Sequence, residues 1–292
     1  MRRTPGLAAS IGFALFLSAC ASPATTVSPT ATPSSPTIIS PITAPTLGTY
    51  PVDTAIVTIL EIGTYRPEWL GQILVSDRDT VDTPEELRHR RFPPPPGTPL
   101  APSDAFTSSI GAVPADVAAR SSWSSECPVA LEDLRYLEMT FWGFDGNAYL
   151  GEMMVHADHA HDVVTVFSAL YDARFPIEEM RIYSREEIFA PPTGDLNNTS
   201  SFECRPVAGV SGTWSQHAYG RAIDINPFQN PYLRGTALEP ALSGSYLDRS
   251  NRREGMIRRG DVVVTAFAGI GWGWGGNWTA LTDLHHFSWN SK

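Results

Sequence analysis

Residues 134–156 read LRYLEMTFWGFDGNAYLGEMMVH. Two stretches rich in aromatic and apolar side chains flank Phe144 to Ala148, where Asp145-Gly146 carries the turn chemistry of a β-hairpin. This predicts a strand, a tight turn and a returning antiparallel strand. The chain then changes period. In DHAHDVVTVFSALYDARF, Val163, Phe167, Leu170 and Tyr171 recur at helical spacing, which predicts an amphipathic helix capped near Asp158. Further on, MRIYS reads as a short strand. AIDIN (Ala222 to Asn226) alternates, with Ile223 and Ile225 on one face. DVVVTAFAG reads as a helix starting at Asp261 and stopping at Gly269, and HHFSW as a terminal strand. No internal repeat is visible. Residues 121–292 are therefore expected to form an α+β domain, with helices packed on a mainly antiparallel sheet.

Upstream the composition shifts. Residues 1–19 have a positive start (Arg2, Arg3) and a short apolar run, which reads as a signal peptide. Leu17-Ser18-Ala19-Cys20 looks like a bacterial lipobox, so Cys20 is the expected acylation site and membrane anchor. Residues 20–48, mostly Pro, Thr, Ser and Ala, are then expected to form an extended stalk. Localisation would be extracytoplasmic, on the cell envelope. Residues 49–120 are expected to be an N-terminal appendage or partly ordered linker. They hold a possible strand, TAIVTILEI (Thr54 to Ile62), and a second Pro-rich connector, FPPPPGTPLAPSD. After Cys20 only Cys127 and Cys204 remain. In an exported chain this even pair suggests one disulfide, the alternative being two buried thiols.

The 292 residues carry a formal net charge of −10. Basic residues cluster only briefly, in RHRRF (Arg88 to Phe92) and in the Arg pairs of NRREGMIRRG. Phosphate neutralisation needs a basic surface, so no nucleic-acid partner is expected. A monomer is expected.

Two segments carry chemistry. One is SQHAYGRAIDINP, with His217 and Asp224; the other is WGWGGNWTALTDLHHFSW, with Asp283, His285 and His286. Catalytic zinc takes three ligands from His and Asp/Glu and keeps one position for water. Gly220 permits a tight turn between the first two candidates. Asp224 interrupts an apolar strand pattern, and a buried carboxylate wants a metal or a cation. On spacing alone, an Arg-paired Asp224 with a core His217 is an equal alternative.

SQHAYGRAID closely resembles the S-x-H-x-x-G-x-A-x-D signature of the D-Ala-D-Ala carboxypeptidase and L-alanyl-D-glutamate endopeptidase family of zinc peptidases. WGGNW…TDLHHF resembles the W-G-G-x-W…D-x-x-H-F ending of its phage-endolysin-like branch. The resemblance spans about residues 125 to 289. It implies a hedgehog/DD-peptidase-like zinc fold and a Zn2+ cofactor held by His217, Asp224 and His286. It also implies Asp283 as catalytic acid/base and hydrolysis of peptidoglycan stem peptides. Ser215 aligns with the family serine and would support the first ligand or bind a substrate carboxylate; Trp272, Trp274 and Trp278 would wall the cleft or equally belong to the core. Two positions depart from the pattern. His285 stands where relatives often have Pro, and since strand neighbours point to opposite faces, the D-x-x-H spacing selects His286 as ligand and leaves His285 to line the cleft or face solvent. The upstream Tyr-Arg-Ser-like segment is absent, so Arg205 is the candidate anion-stabilising group, with Arg181 as alternative. His156, His159 and His161 read as surface residues. A second reading of the same fold is a non-catalytic zinc-containing wall-binding module, which has no need of Asp283.

Overall fold

The computed structural model describes residues 63–72, 82–208, 210 and 212–292. The expected signal segment 1–19, Cys20, the stalk 20–48 and the strand Thr54–Ile62 lie outside the described residues. In chain order the elements are α1 (Glu85–Arg88), β1 (Ser108–Ala112), α2 (Ala115–Arg120), β2 (Leu134–Trp142), β3 (Ala148–His156) and α3 (Ala160–Asp172). There follow β4 (Glu179–Met180), α4 (Arg185–Phe189), β5 (Asn198–Thr199), β6 (Ala222–Asp224), β7 (Tyr232–Arg234) and β8 (Ala237–Glu239). The last are α5 (Val262–Gly269), β9 (Gly273–Trp274), β10 (Thr282–Asp283) and β11 (His286–Ser288). The architecture is α+β, with sheets that are antiparallel except for the β4–β5 pair.

β2 and β3 form the expected hairpin, in register from Leu134↔His156 to Trp142↔Ala148. Its turn works through Gly146 at φ +78° and through Asp145 Oδ1, which accepts the Asn147 N–H. Leu137, Met139 and Phe141 of β2 share one face with Met153 and Val155 of β3. α3 lays Val163, Val166, Phe167 and Leu170 into the same core. Each such side chain contributes about 2 kcal/mol by leaving water. The helix begins slightly later than its sequence suggests. A 3₁₀ turn, Ala157–His159, precedes it, and the His156 side chain rather than Asp158 caps that turn by accepting the Asp158 N–H. α5 is capped by Asp261, whose carboxylate accepts the Val264 N–H.

Of MRIYS only the first residue, Met180, is strand, as the end of β4. Beyond it, the Asn198 side chain accepts the Arg181 N–H and donates to the Arg181 carbonyl, so a side chain takes the bonds that a ladder would have used.

The expected boundary at residue 121 falls inside the fold rather than at its edge. β1 extends the hairpin into a three-stranded sheet along β2. Arg90, from RHRRF, is buried. Its Nε and Nη2 reach the two oxygens of the fully buried Glu178 at 2.8 and 2.7 Å, and Arg66 and Asn197 also donate to that carboxylate. The Arg90 guanidinium stacks on Phe92 and Phe228. A buried charge must be paired, and here the partners lie 88 residues apart. Local sequence therefore shows only a basic cluster. Cys127 and Cys204 form a disulfide that closes a 77-residue separation; in a loop-entropy picture this is worth about 4 kcal/mol. It fastens the chain just before the first chemistry-bearing segment.

Candidate metal centre

The site is built on the sheet β6-β11-β9. Ile223 and Phe287 turn into the core, which sends Asp224 and His286 to the other face of adjacent strands. His286 and Asp224 are direct cross-strand partners. The third member arrives on a 3₁₀ turn, Gln216–Tyr219. Ser215 caps that turn, its Oγ accepting the His217 N–H at 3.3 Å. Gly220 ends it at φ +65°, where a Cβ would also lie 2.7 Å from the His156 nitrogen.

The three side chains converge. His217 Nε2 is 3.2 Å from Asp224 Oδ2, His286 Nδ1 is 3.0 Å from Asp224 Oδ1, and the two imidazole nitrogens are 3.2 Å apart. All are buried, and their candidate ligand atoms lie within 4.8 Å of one another. The outer hydrogen bonds set the tautomers. His217 Nδ1 lies 2.7 Å from the Ser201 carbonyl, so an N–H there donates outward and Nε2 keeps its lone pair toward the cluster. His286 Nε2 stands 3.4 Å from the Lys292 carbonyl, which turns Nδ1 inward.

Among the described residues no Lys or Arg pairs with Asp224, so the Arg-paired alternative is not the arrangement seen. Two neutral imidazoles and a carboxylate, lone pairs facing one another in a buried space, fit a divalent cation with a position left for water. The three groups also act on one another. Burial alone would raise the Asp224 carboxyl, but protonated His217 and His285 beside it, with hydrogen bonds from His217 and His286, would hold it well below the usual carboxylate range, and a cation at the centre would take over from those protons.

Asp283 lies on β10, three residues before His286, opposite Tyr232 of β7. It is buried, and its Oδ1 makes no hydrogen bond. His285 Nε2 stands 3.1 Å from that oxygen, in ion-pair range, and 3.7 Å from Asp224 Oδ2. The strand-alternation argument thus does not remove His285 from the site. The residue falls in a bend before β11, so its side chain is free of the pleat and, with Nδ1 held by the Asn230 carbonyl at 2.6 Å, turns inward too. The glycines of WGGNW set this corner. A Cβ on Gly275 would lie 2.5 Å from the Asp283 carbonyl oxygen and 2.8 Å from its Cβ, so only glycine lets the two segments approach.

Arg205 Nε donates to Glu203 Oε2 at 2.7 Å, while its two terminal nitrogens have no partner among the described residues. Its charge is felt at Asp224, because burial disfavours the guanidinium while Glu203 and then Asp224 favour it. Arg181 is consumed by Glu179, Glu187 and the Ile182 carbonyl. Trp274 is not a cleft wall. It is 6% exposed, packs in the main core, and donates its indole N–H to the Leu284 carbonyl. Trp278, half-buried, instead faces the His286 ring at 5.4 Å. His161 is exposed, His156 touches Arg221, and His159 packs edge-on to Trp272; these three form no metal cluster. Glu203, Ser201 and Asn230 carry no motif signal, since their roles are to hold other side chains through backbone or ion-pair contacts.

The fold and donor set define a buried His/Asp/His cluster able to hold a metal ion. The model of a family described as D-alanyl-D-alanine carboxypeptidase matches residues 208–289, a minority of the chain that contains every member of the centre. The model of a family described as extensin-like protein C-terminus matches residues 169–239, overlapping the first at His217 and Asp224. No protein of curated function and no solved structure matches the chain. The first match supports a peptidase relationship for the segment that carries the site.

Proposed function

We propose that this protein is a zinc peptidase of hedgehog/DD-peptidase-like fold that hydrolyses peptidoglycan stem peptides. The observation that carries the reading is the convergence of His217 Nε2, Asp224 and His286 Nδ1 beside Asp283, inside the segment similar to D-alanyl-D-alanine carboxypeptidases. Zinc held there would polarise a scissile carbonyl and lower the pKa of a bound water toward neutrality. Asp283 accepts the proton of the attacking water and returns it to the departing amine. His285, 3.1 Å from Asp283 Oδ1, orients that carboxylate. The terminal nitrogens of Arg205 oppose the negative charge that develops on the carbonyl oxygen, a role worth a few kcal/mol in acyl transfer. The lipobox-like segment ending in Cys20 makes the enzyme an envelope-anchored one, facing the wall from a Pro/Thr-rich stalk.

The test is incubation of the zinc-loaded protein with defined muropeptides and mass analysis of the products. Release of D-Ala or a cut between L-Ala and D-Glu assigns the bond. Intact peptides throughout, with wall binding preserved, would overturn the peptidase and leave the wall-binding module. A Cys20→Ser variant should leave the membrane fraction; unchanged membrane association would remove the anchor from this account.

A further inference from the structure

We infer that a cavity on the opposite side of the metal-bearing turn is a saccharide subsite, taking an N-acetylated amino sugar of a glycan chain. The inference rests on the wall-peptidase reading for the identity of that glycan, but its geometry is independent of the metal.

The cavity measures about 370 Å³ and is lined by Thr213, Trp214, Gln216, Tyr219, Arg221 and Trp289. In a 3₁₀ turn, residues three apart share a face. Gln216 and Tyr219 therefore look into this cavity, while His217 between them is buried toward the metal centre. Trp214 and Trp289 are 36% and 44% exposed, and two large aromatic surfaces left in water beside a cavity mark a binding surface. They are not loose. The Trp289 indole N–H donates to Gln216 Oε1 at 3.0 Å, its backbone N–H donates to the Arg221 carbonyl at 3.2 Å, and the Arg221 guanidinium stacks on its ring. Arg221 is held in turn by His156 Nε2 at 3.0 Å.

The polar groups name the guest. The Gln216 NH2 group has no partner among the described residues, and Gln216 lines the cavity. A wholly apolar guest would bury this donor unpaired, at a cost. A pyranose does not. It offers a C–H face to an indole, and a rim of hydroxyl and acetamide oxygens to a planar amide and a guanidinium. Gln216 directly precedes His217, and Trp289 follows His286 by three residues, so a sugar here would sit next to the centre that receives the attached peptide.

The experiment has two arms. The zinc-loaded protein is titrated with the tetramer of N-acetylglucosamine, followed by calorimetry; saturable binding is expected, weakened about tenfold or more by Trp289→Ala and Trp214→Ala. The Phe variants should keep part of the binding, which separates lost stacking from lost folding. Cleavage of a stem peptide linked to a disaccharide is then compared with cleavage of the same free peptide. KM should rise in the Ala variants for the glycan-linked substrate alone, with kcat unchanged. No binding by the wild type, or equal effects on both substrates, overturns the subsite. Sugar binding without any peptide cleavage overturns the peptidase reading and upholds the subsite.

Discussion

His286 sits directly opposite Asp224 across the antiparallel β6–β11 pair, with its Nδ1 3.0 Å from Asp224 Oδ1. Direct cross-strand partners are the closest neighbours a sheet provides. Two of the three candidate ligands are thus placed by strand register alone, and the Ser215-capped turn adds His217. A slip of one residue along β11 would send the His286 side chain into the core and expose Phe287.

Metal binding follows from this arrangement. The wild type is expected to hold one zinc, and His217→Ala, His286→Ala and Asp224→Ala to lose it on gel filtration, as metal analysis would show. Zinc at a thousandfold excess over Kd should stabilise the fold by about 4 kcal/mol, read as a higher Tm that EDTA reverses. Retention of one zinc in both His variants would remove these residues from the ligand set.

Asp283 stands apart from the ligands. Asp283→Asn should keep its zinc and its Tm near the wild-type value while kcat on stem peptides falls by about 10²–10⁴, the usual range for a lost acid/base. Unchanged turnover in that variant would refute the assignment.

Gly275 is where the backbone approaches Asp283 most tightly. Gly275→Ala must displace Asp283 or its own 3₁₀ turn, because the added Cβ would meet backbone at 2.5 Å. A destabilisation of about 1–3 kcal/mol is expected, as for overpacking elsewhere, with reduced kcat and retained metal. Wild-type kcat in a well-folded Gly275→Ala protein would show that Asp283 tolerates movement.

A pH-dependent contribution comes from Glu152 on β3. Burial alone would raise its carboxyl, but hydrogen bonds from Arg120 and Tyr136 and the Arg120 charge hold it below its ordinary value. A depressed carboxyl contributes stability that is fully present above its unfolded value and is lost as pH falls through its folded value. The pair is partly exposed, so Glu152→Gln should cost only about 0.5–1 kcal/mol at pH 7. The gap between variant and wild type should close below the carboxylate range. Melts recorded from pH 7 to pH 3 decide this, and a gap that stays constant would contradict it.

What could be read from sequence was local. The Asp145-Gly146 turn, the apolar stripe from Val163 to Tyr171 and the Asp261 cap each depend on neighbours a few residues apart, so period and turn chemistry express them directly. Residue types and spacing left the metal centre level with an Arg-paired Asp224; it was the resemblance carried by SQHAYGRAID and WGGNW…TDLHHF that nominated the ligands and the acid/base. Arg90 read as part of a surface basic cluster because its partner, Glu178, is far along the chain. Whether Trp274 walls the cleft or sits in the core stayed open, because no pattern tells a core indole from an exposed one; the structure puts it in the core. His285 stayed between lining the cleft and facing solvent, because the strand alternation that set it against His286 does not hold in the bend where it lies. Sequence by itself determined the α+β class, the hairpin and the chemical identity of the donors, because those follow from short-range periodicity and side-chain type. Only the tertiary structure decided that His286 faces Asp224, that His285 joins Asp283, and that residues before 121 complete the fold. These depend on strand register and on burying charges against distant partners, and such pairings are settled when the whole core packs.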